Sequence, residues 1–189
     1  MADKYAREAW RTLRNYGFAV RTDPTQKYAT AGENGRADAL VARAGRAVYV
    51  ECKTGATSFA FKNWRPNQRE WYEQFCVPYP FDMELWFWIT MGFDRPNSIN
   101  PTHAPRRSYL LSVEVLKQTE DLISPIQDSI PYRVGPAYSR EMQKRHLDAE
   151  NLWLPYALVW AGDGNWTFPL THSFQQYLNS KVSAERHDN

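Results

Sequence analysis

Residues 38–53 constrain this chain more than any other stretch: Asp-Ala-Leu-Val-Ala-Arg-Ala-Gly-Arg-Ala-Val-Tyr-Val-Glu-Cys-Lys. Apolar residues flank Gly45-Arg46 on both sides, which predicts strands over 38–44 and 47–53 joined by a hairpin turn. In a strand, residues i and i+2 share a face. Glu51 and Lys53 therefore project together, while Val48, Val50 and Cys52 project to the other face. Asp38 opens the partner strand. A hard divalent cation needs carboxylate oxygens, and a nearby ammonium can orient a water or stabilise a developing oxyanion. The plainer alternatives are an ion pair between Glu51 and Lys53 on an exposed strand face, and a strand-start acid at Asp38.

The rest of the chain reads as a mixed sheet with helices packed on it. Ala6, Ala9, Trp10, Leu13 and Tyr16 recur at helical steps, predicting a helix over 3–16 with Asp3 as N-cap and Gly17 as its stop. A short strand follows over 18–21. Residues 29–37 are small and Gly-containing and read as a loop or weak strand. Pro66 suits the first turn of a second helix reaching about residue 77, with Trp71, Tyr72 and Phe75 on its apolar face. Residues 84–91 are apolar on both faces, as in a central strand. A loop is expected over 93–107, a strand over 109–113 and a helix over 115–123. Residues 124–150 read as an insertion with one short helix near 139–147. A hairpin over 156–161 and 166–170 and a last helix over 172–178 complete one domain of 189 residues. The core would span 3–123 together with 156–178. The fold class is α/β (α+β), a central mixed β-sheet flanked by helices.

Charge is unevenly spread. Residues 1–70 hold 13 Lys and Arg against 7 Asp and Glu, a net of +6, and the remainder carries −4. The half with the candidate site is thus the basic one, which suits a polyanionic substrate. Arg7, Arg11 and Arg14 form a basic stripe on the first helix, and Arg36 and Arg65 flank the hairpin. All five are candidate nucleic-acid contacts. The eight Trp and eleven Tyr supply surfaces for a core, an interface or base stacking.

Several chemistries are disfavoured. The two cysteines, Cys52 and Cys76, have no CxxC or Cys/His spacing, so neither a structural zinc site nor a disulfide framework is expected. The four histidines are scattered. No GxxxxGK[ST] loop and no G-x-S-x-G elbow occurs. The N-terminus lacks a signal-like apolar run, and the longest apolar stretch is too short to span a bilayer, so a cytoplasmic protein is expected.

Asp38, twelve intervening residues and then Glu51-Cys52-Lys53 resemble the motif of the PD-(D/E)xK nuclease superfamily. Gly35-Arg36-Ala37-Asp38 is similar to the entry of the Holliday-junction resolvases and VRR-type nucleases. Arg65-Pro66-Asn67-Gln68-Arg69-Glu70-Trp71-Tyr72 resembles the helix that those families place after the motif, and Gln68-x-x-x-Tyr72 also resembles a motif of exonuclease branches. The likeness covers roughly residues 3–92. Ala37 stands where the superfamily's name has proline.

The resemblance implies a restriction-endonuclease-like core and a Mg²⁺ or Mn²⁺ cofactor. Asp38 and Glu51 would be metal ligands, joined by the Cys52 backbone carbonyl and by Glu8 of the first helix. Lys53 would orient the attacking water, and Gln68 would position a water or phosphate. An i,i+3 pair with Arg11 is the alternative role for Glu8. The expected activity is endonucleolytic cleavage of DNA, branched DNA in particular, by a homodimer. An end-processing exonuclease and a non-catalytic DNA- or protein-binding module are the alternatives.

Overall fold

The computed structural model describes residues 4–22, 37–43, 45–77, 84–92 and 106–177. Among the described residues the elements follow in the order α1 (Lys4–Asn15), β1 (Ala19–Thr22), β2 (Ala39–Arg43), β3 (Arg46–Gly55), β4 (Ser58–Ala60), α2 (Pro66–Phe75), β5 (Leu85–Met91), β6 (Arg107–Ser112), α3 (Val113–Ile123), β7 (Ser129–Pro131), α4 (Arg140–Trp153), β8 (Ala157–Gly162) and β9 (Asn165–Thr167), with helix again over 173–177 as expected near the end of the chain. Seven strands form one mixed sheet in the order β1-β2-β3-β5-β6-β8-β9, and β4 pairs with β7 apart from it. The expected mixed sheet flanked by helices is therefore present.

The apolar run over 84–91 becomes β5, the middle strand, with all seven residues buried. It runs parallel to β3 and antiparallel to β6. Alternation along β5 feeds two core layers. Phe87, Ile89 and Met91 face α2, α3 and α4, packing with Trp64, Tyr72, Leu116 and Trp153. Trp86 and Trp88 face α1, packing with Trp10, Leu13, Phe168 and Phe174. Each large apolar side chain so buried contributes about 1.5–3 kcal/mol.

The sheet curls, so that β9 meets α1. The Trp166 N–H donates to Thr12 Oγ1 at 3.1 Å, and the Phe168 N–H donates to the Tyr16 hydroxyl at 3.1 Å. Helix side chains thereby satisfy the outer N–H groups of an edge strand that would otherwise be free to pair with another chain. These contacts also make α1 run parallel to β9. Traced across the sheet, the start of α1, the start of β6 and the end of β8 all reach the sheet end where β3 finishes. At that end the chain reverses tightly into β4. A Cβ on Gly55 would stand 2.1 Å from the Ser58 carbonyl oxygen, so only glycine fits.

The structure differs from expectation in the second half. The segment 124–150 is built into the core: β7 pairs with β4, and Ile130, Met142, Ala149 and Trp153 are buried. Helix α4 continues past Leu147 to Trp153. Strand β6 starts at Arg107, inside the expected loop, and α3 begins at Val113, where Ser112 caps it by accepting from the Val115 N–H. Asp3, Arg36 and most of 29–37 and 93–107 lie outside the described residues.

Candidate active site

The hairpin register pairs Ala39 with Val50 and so sets Asp38 opposite Glu51. The Asp38 N–H donates to Glu51 Oε2 at 3.0 Å, and the Cys52 N–H donates to Asp38 Oδ2 at 2.8 Å. Two carboxylates are thus pinned by backbone amides at the open end of the β2–β3 hairpin. Lys53, two residues on and on the same face as Glu51, brings Nζ to 2.7 Å from Glu51 Oε1. The side chains of Lys53 and Glu51 are only 12% and 6% exposed, which argues against an ordinary surface ion pair.

Gln68 completes the group from α2. Pro66 opens that helix, Arg65 is its N-cap, and Gln68 stands at the third helical position. Its Nε2 donates to Glu51 Oε1 at 2.7 Å, and its Oε1 accepts from Lys53 Nζ at 3.0 Å and from the Arg65 N–H at 3.3 Å. The carboxylate and the ammonium dictate the amide orientation, since only NH₂ can serve the first and only oxygen the second. Gln68 therefore fixes the spacing of Glu51 and Lys53.

Burial pushes the Asp38 carboxyl up from 3.8 to about 7, with the neighbouring Glu51 charge adding to the rise. The Cys52 N–H and the Lys53 ammonium pull the other way without cancelling it. Burial is the first cause of this rise and the repulsion of a second carboxylate the next. A divalent cation would relieve that repulsion. Asp38 and Glu51 supply carboxylate oxygens, the hard donors that Mg²⁺, which retains several waters, takes from a protein. Among the described residues, no group of three or more Asp, Glu, His or Cys side chains stands as a metal cluster. Glu8 accordingly does not join the two acids in one.

Glu8 lies on α1, buried, and pairs with Arg106 instead of Arg11. Both Arg106 Nη atoms donate to its carboxylate. The partners are 98 residues apart, and no local pattern announces their pairing. Arg7, Arg11 and Arg14 are exposed along α1, and Arg11 Nη1 donates to the Asp163 carbonyl at 3.0 Å. Arg65 is exposed at the start of α2, beside Gln68.

A scan against protein-family models matches no family, and a search of curated proteins finds no significant relative. Among the described residues, no helix is long and apolar enough to cross a membrane.

Proposed function

We propose that this chain is a divalent-metal-dependent nuclease that hydrolyses phosphodiester bonds in DNA, on a restriction-endonuclease-like core of the PD-(D/E)xK kind. One observation carries the proposal. Asp38, Glu51, Lys53 and Gln68, the residues of the motif resemblance, are joined by hydrogen bonds into one largely buried group at the open end of the β2–β3 hairpin.

Asp38, Glu51 and the Cys52 carbonyl would hold Mg²⁺ or Mn²⁺. The bound ion would supply a water of lowered pKa and offset charge on the scissile phosphate. Lys53, the cation beside these acids, would orient the attacking water in line with the phosphorus and stabilise charge on a phosphate oxygen. Gln68 keeps Lys53 and Glu51 at fixed separation, so neither must reorganise during the reaction. Glu8 is engaged by Arg106 and is left out of the ligand set.

Within this class we favour an endonuclease acting on branched DNA as a homodimer, in the manner of the junction resolvases. The resolvase-like flanks and the basic face of α1 support that choice. Tyr72, half of the exonuclease-like pair, is buried and donates its hydroxyl to Glu114 at 3.2 Å. It is committed to packing, which favours the endonuclease. A panel of four-way junction, circular duplex, linear duplex and single-stranded DNA, each with Mg²⁺ or Mn²⁺, tests the proposal. Cleavage of the junction is expected. Activity confined to free ends would replace the endonuclease by an exonuclease, and no cleavage of any substrate would remove the nuclease.

A further inference from the structure

Trp160 of β8 leaves 46% of its surface in solvent, whereas Trp64, Trp86, Trp88, Trp153 and Trp166 are buried. The exposed indole is nevertheless held. Trp166 meets it edge-on, with ring centres 5.0 Å apart and planes at 67°. The Arg106 guanidinium sits 4.7 Å from the Trp160 ring centre, and it also stacks on Tyr5 at 5.1 Å and Trp166 at 5.3 Å. Arg106 is fixed in turn by Glu8, in a pair whose side chains are only 7% and 8% exposed. A large exposed aromatic that is already ordered loses little entropy when a ligand stacks on it.

Its position bears on the proposed chemistry. Ser108 pairs with Leu158, so continuing that antiparallel register brings Trp160 level with Arg106. Arg107 pairs with Met91, and Met91 with Gly55, two residues beyond Lys53. Trp160 and the candidate site therefore share one end of the sheet, separated by β5 and β6 and on opposite faces, the indole on the α1 side and the Glu51–Lys53 pair on the α2 side. Arg11 of helix α1 donates to the Asp163 carbonyl in the turn that follows β8. The β8–β9 turn is docked on that helix: Gly164, at φ +75°, comes so close that a Cβ would meet Glu8 and Arg11 at 3.3 Å.

The surroundings select the ligand. The indole's direct neighbours are Trp166 and the Arg106 guanidinium, with Tyr5 and Glu8 against that guanidinium and Arg11 on the turn that follows β8, so aromatic and cationic groups meet here. A single-stranded nucleic acid offers both complements, phosphates for arginines and an exposed π-face for the indole. A duplex offers only the phosphates. We propose that Trp160 is a stacking platform for an unpaired base of the nucleic-acid substrate, with Arg7 and Arg11 holding adjacent phosphates. The proposal rests on the nuclease reading, but the binding it describes does not require cleavage.

Fluorescence anisotropy with a dye-labelled single strand and the duplex of the same sequence, in metal-free buffer, tests it. Trp160→Ala should weaken single-strand binding by about 5- to 100-fold and leave duplex binding within about twofold. Trp160→Phe should restore most of the loss, which separates stacking from misfolding. Unchanged single-strand affinity in Trp160→Ala would overturn the platform. So would unchanged affinity accompanied by loss of a dimer in sedimentation, which would assign the indole to a contact between copies. A wild-type protein that binds single strands through Trp160 but cleaves nothing would sink the nuclease and leave the platform standing.

Discussion

Asp38 and Glu51 are locked by backbone as well as by side chain. The amide of Asp38 donates to Glu51 Oε2, and the amide of Cys52, next to Glu51, donates back to Asp38 Oδ2. The β2–β3 ladder thus fixes the separation of the two acids before any ion arrives. A site organised in this way loses little on binding a cation and is costly to hold without one.

That cost is visible in pH. The Asp38 carboxyl rises from 3.8 to about 7 in the fold. Below 3.8 both folded and unfolded chains hold the proton, and stability is full. As pH climbs toward 7 the unfolded chain gives up its proton before the folded one does, so stability falls across that window. In metal-free buffer, Asp38→Asn should therefore stabilise the protein at pH 8 by about 2–4 kcal/mol, and by little at pH 4. Thermal melts at the two pH values check this, with an expected gain of several degrees at the higher pH only.

Gln68 contacts both Glu51 and Lys53 but carries no charge of its own. Gln68→Ala should lower the cleavage rate about 10- to 100-fold and raise the Mg²⁺ required, with a stability loss of about 1–3 kcal/mol from the partners it leaves unpaired. A Mg²⁺ titration of cleavage reads the first two effects.

The Glu8–Arg106 pair is almost fully desolvated. Arg106→Leu leaves the Glu8 carboxylate buried without its cation and should cost about 3–5 kcal/mol in urea unfolding. Adding Glu8→Leu to that variant should recover most of the loss. Glu8→Gln alone should leave the Mg²⁺ dependence of cleavage unchanged, because Arg106 and not a metal holds this carboxylate.

Arg7 and Arg14 lie on the exposed face of α1. Replacing both by Gln should weaken DNA binding on all sequences and reduce the slope of log K against log salt by about one per arginine. Affinity measured over a salt series gives the slope directly.

The parts of this fold that were readable before the structure are those with strong periodicity. The β2–β3 hairpin, the greasy central β5, the amphipathic α1 and the Pro66 start of α2 all lie where their patterns put them. So does the joining of Asp38, Glu51, Lys53 and Gln68, because strand pairing and one helical turn bring them together. Strands β4 and β7 leave no sequence signal because three residues carry no alternation. Helix α4 runs past its expected end because its buried stripe, Met142, His146, Ala149 and Trp153, is half small or polar and gives a weak helical period. The Glu8–Arg106–Trp160 assembly depends on the curl that brings β8 and β9 onto α1. That curl is a property of the whole sheet and leaves no mark on a local segment.

In the proposed nuclease, Asp38, Glu51 and Lys53 form a metal-dependent phosphodiesterase site. Single-turnover cleavage of a four-way DNA junction in Mg²⁺, comparing wild type with Asp38→Asn and Lys53→Ala, tests it most directly. Both variants should bind the junction yet cleave at least about 10²-fold more slowly, and chelation should abolish wild-type cleavage. Wild-type rates in both variants, or cleavage that persists in chelator, would rule out a metal-dependent site at these residues.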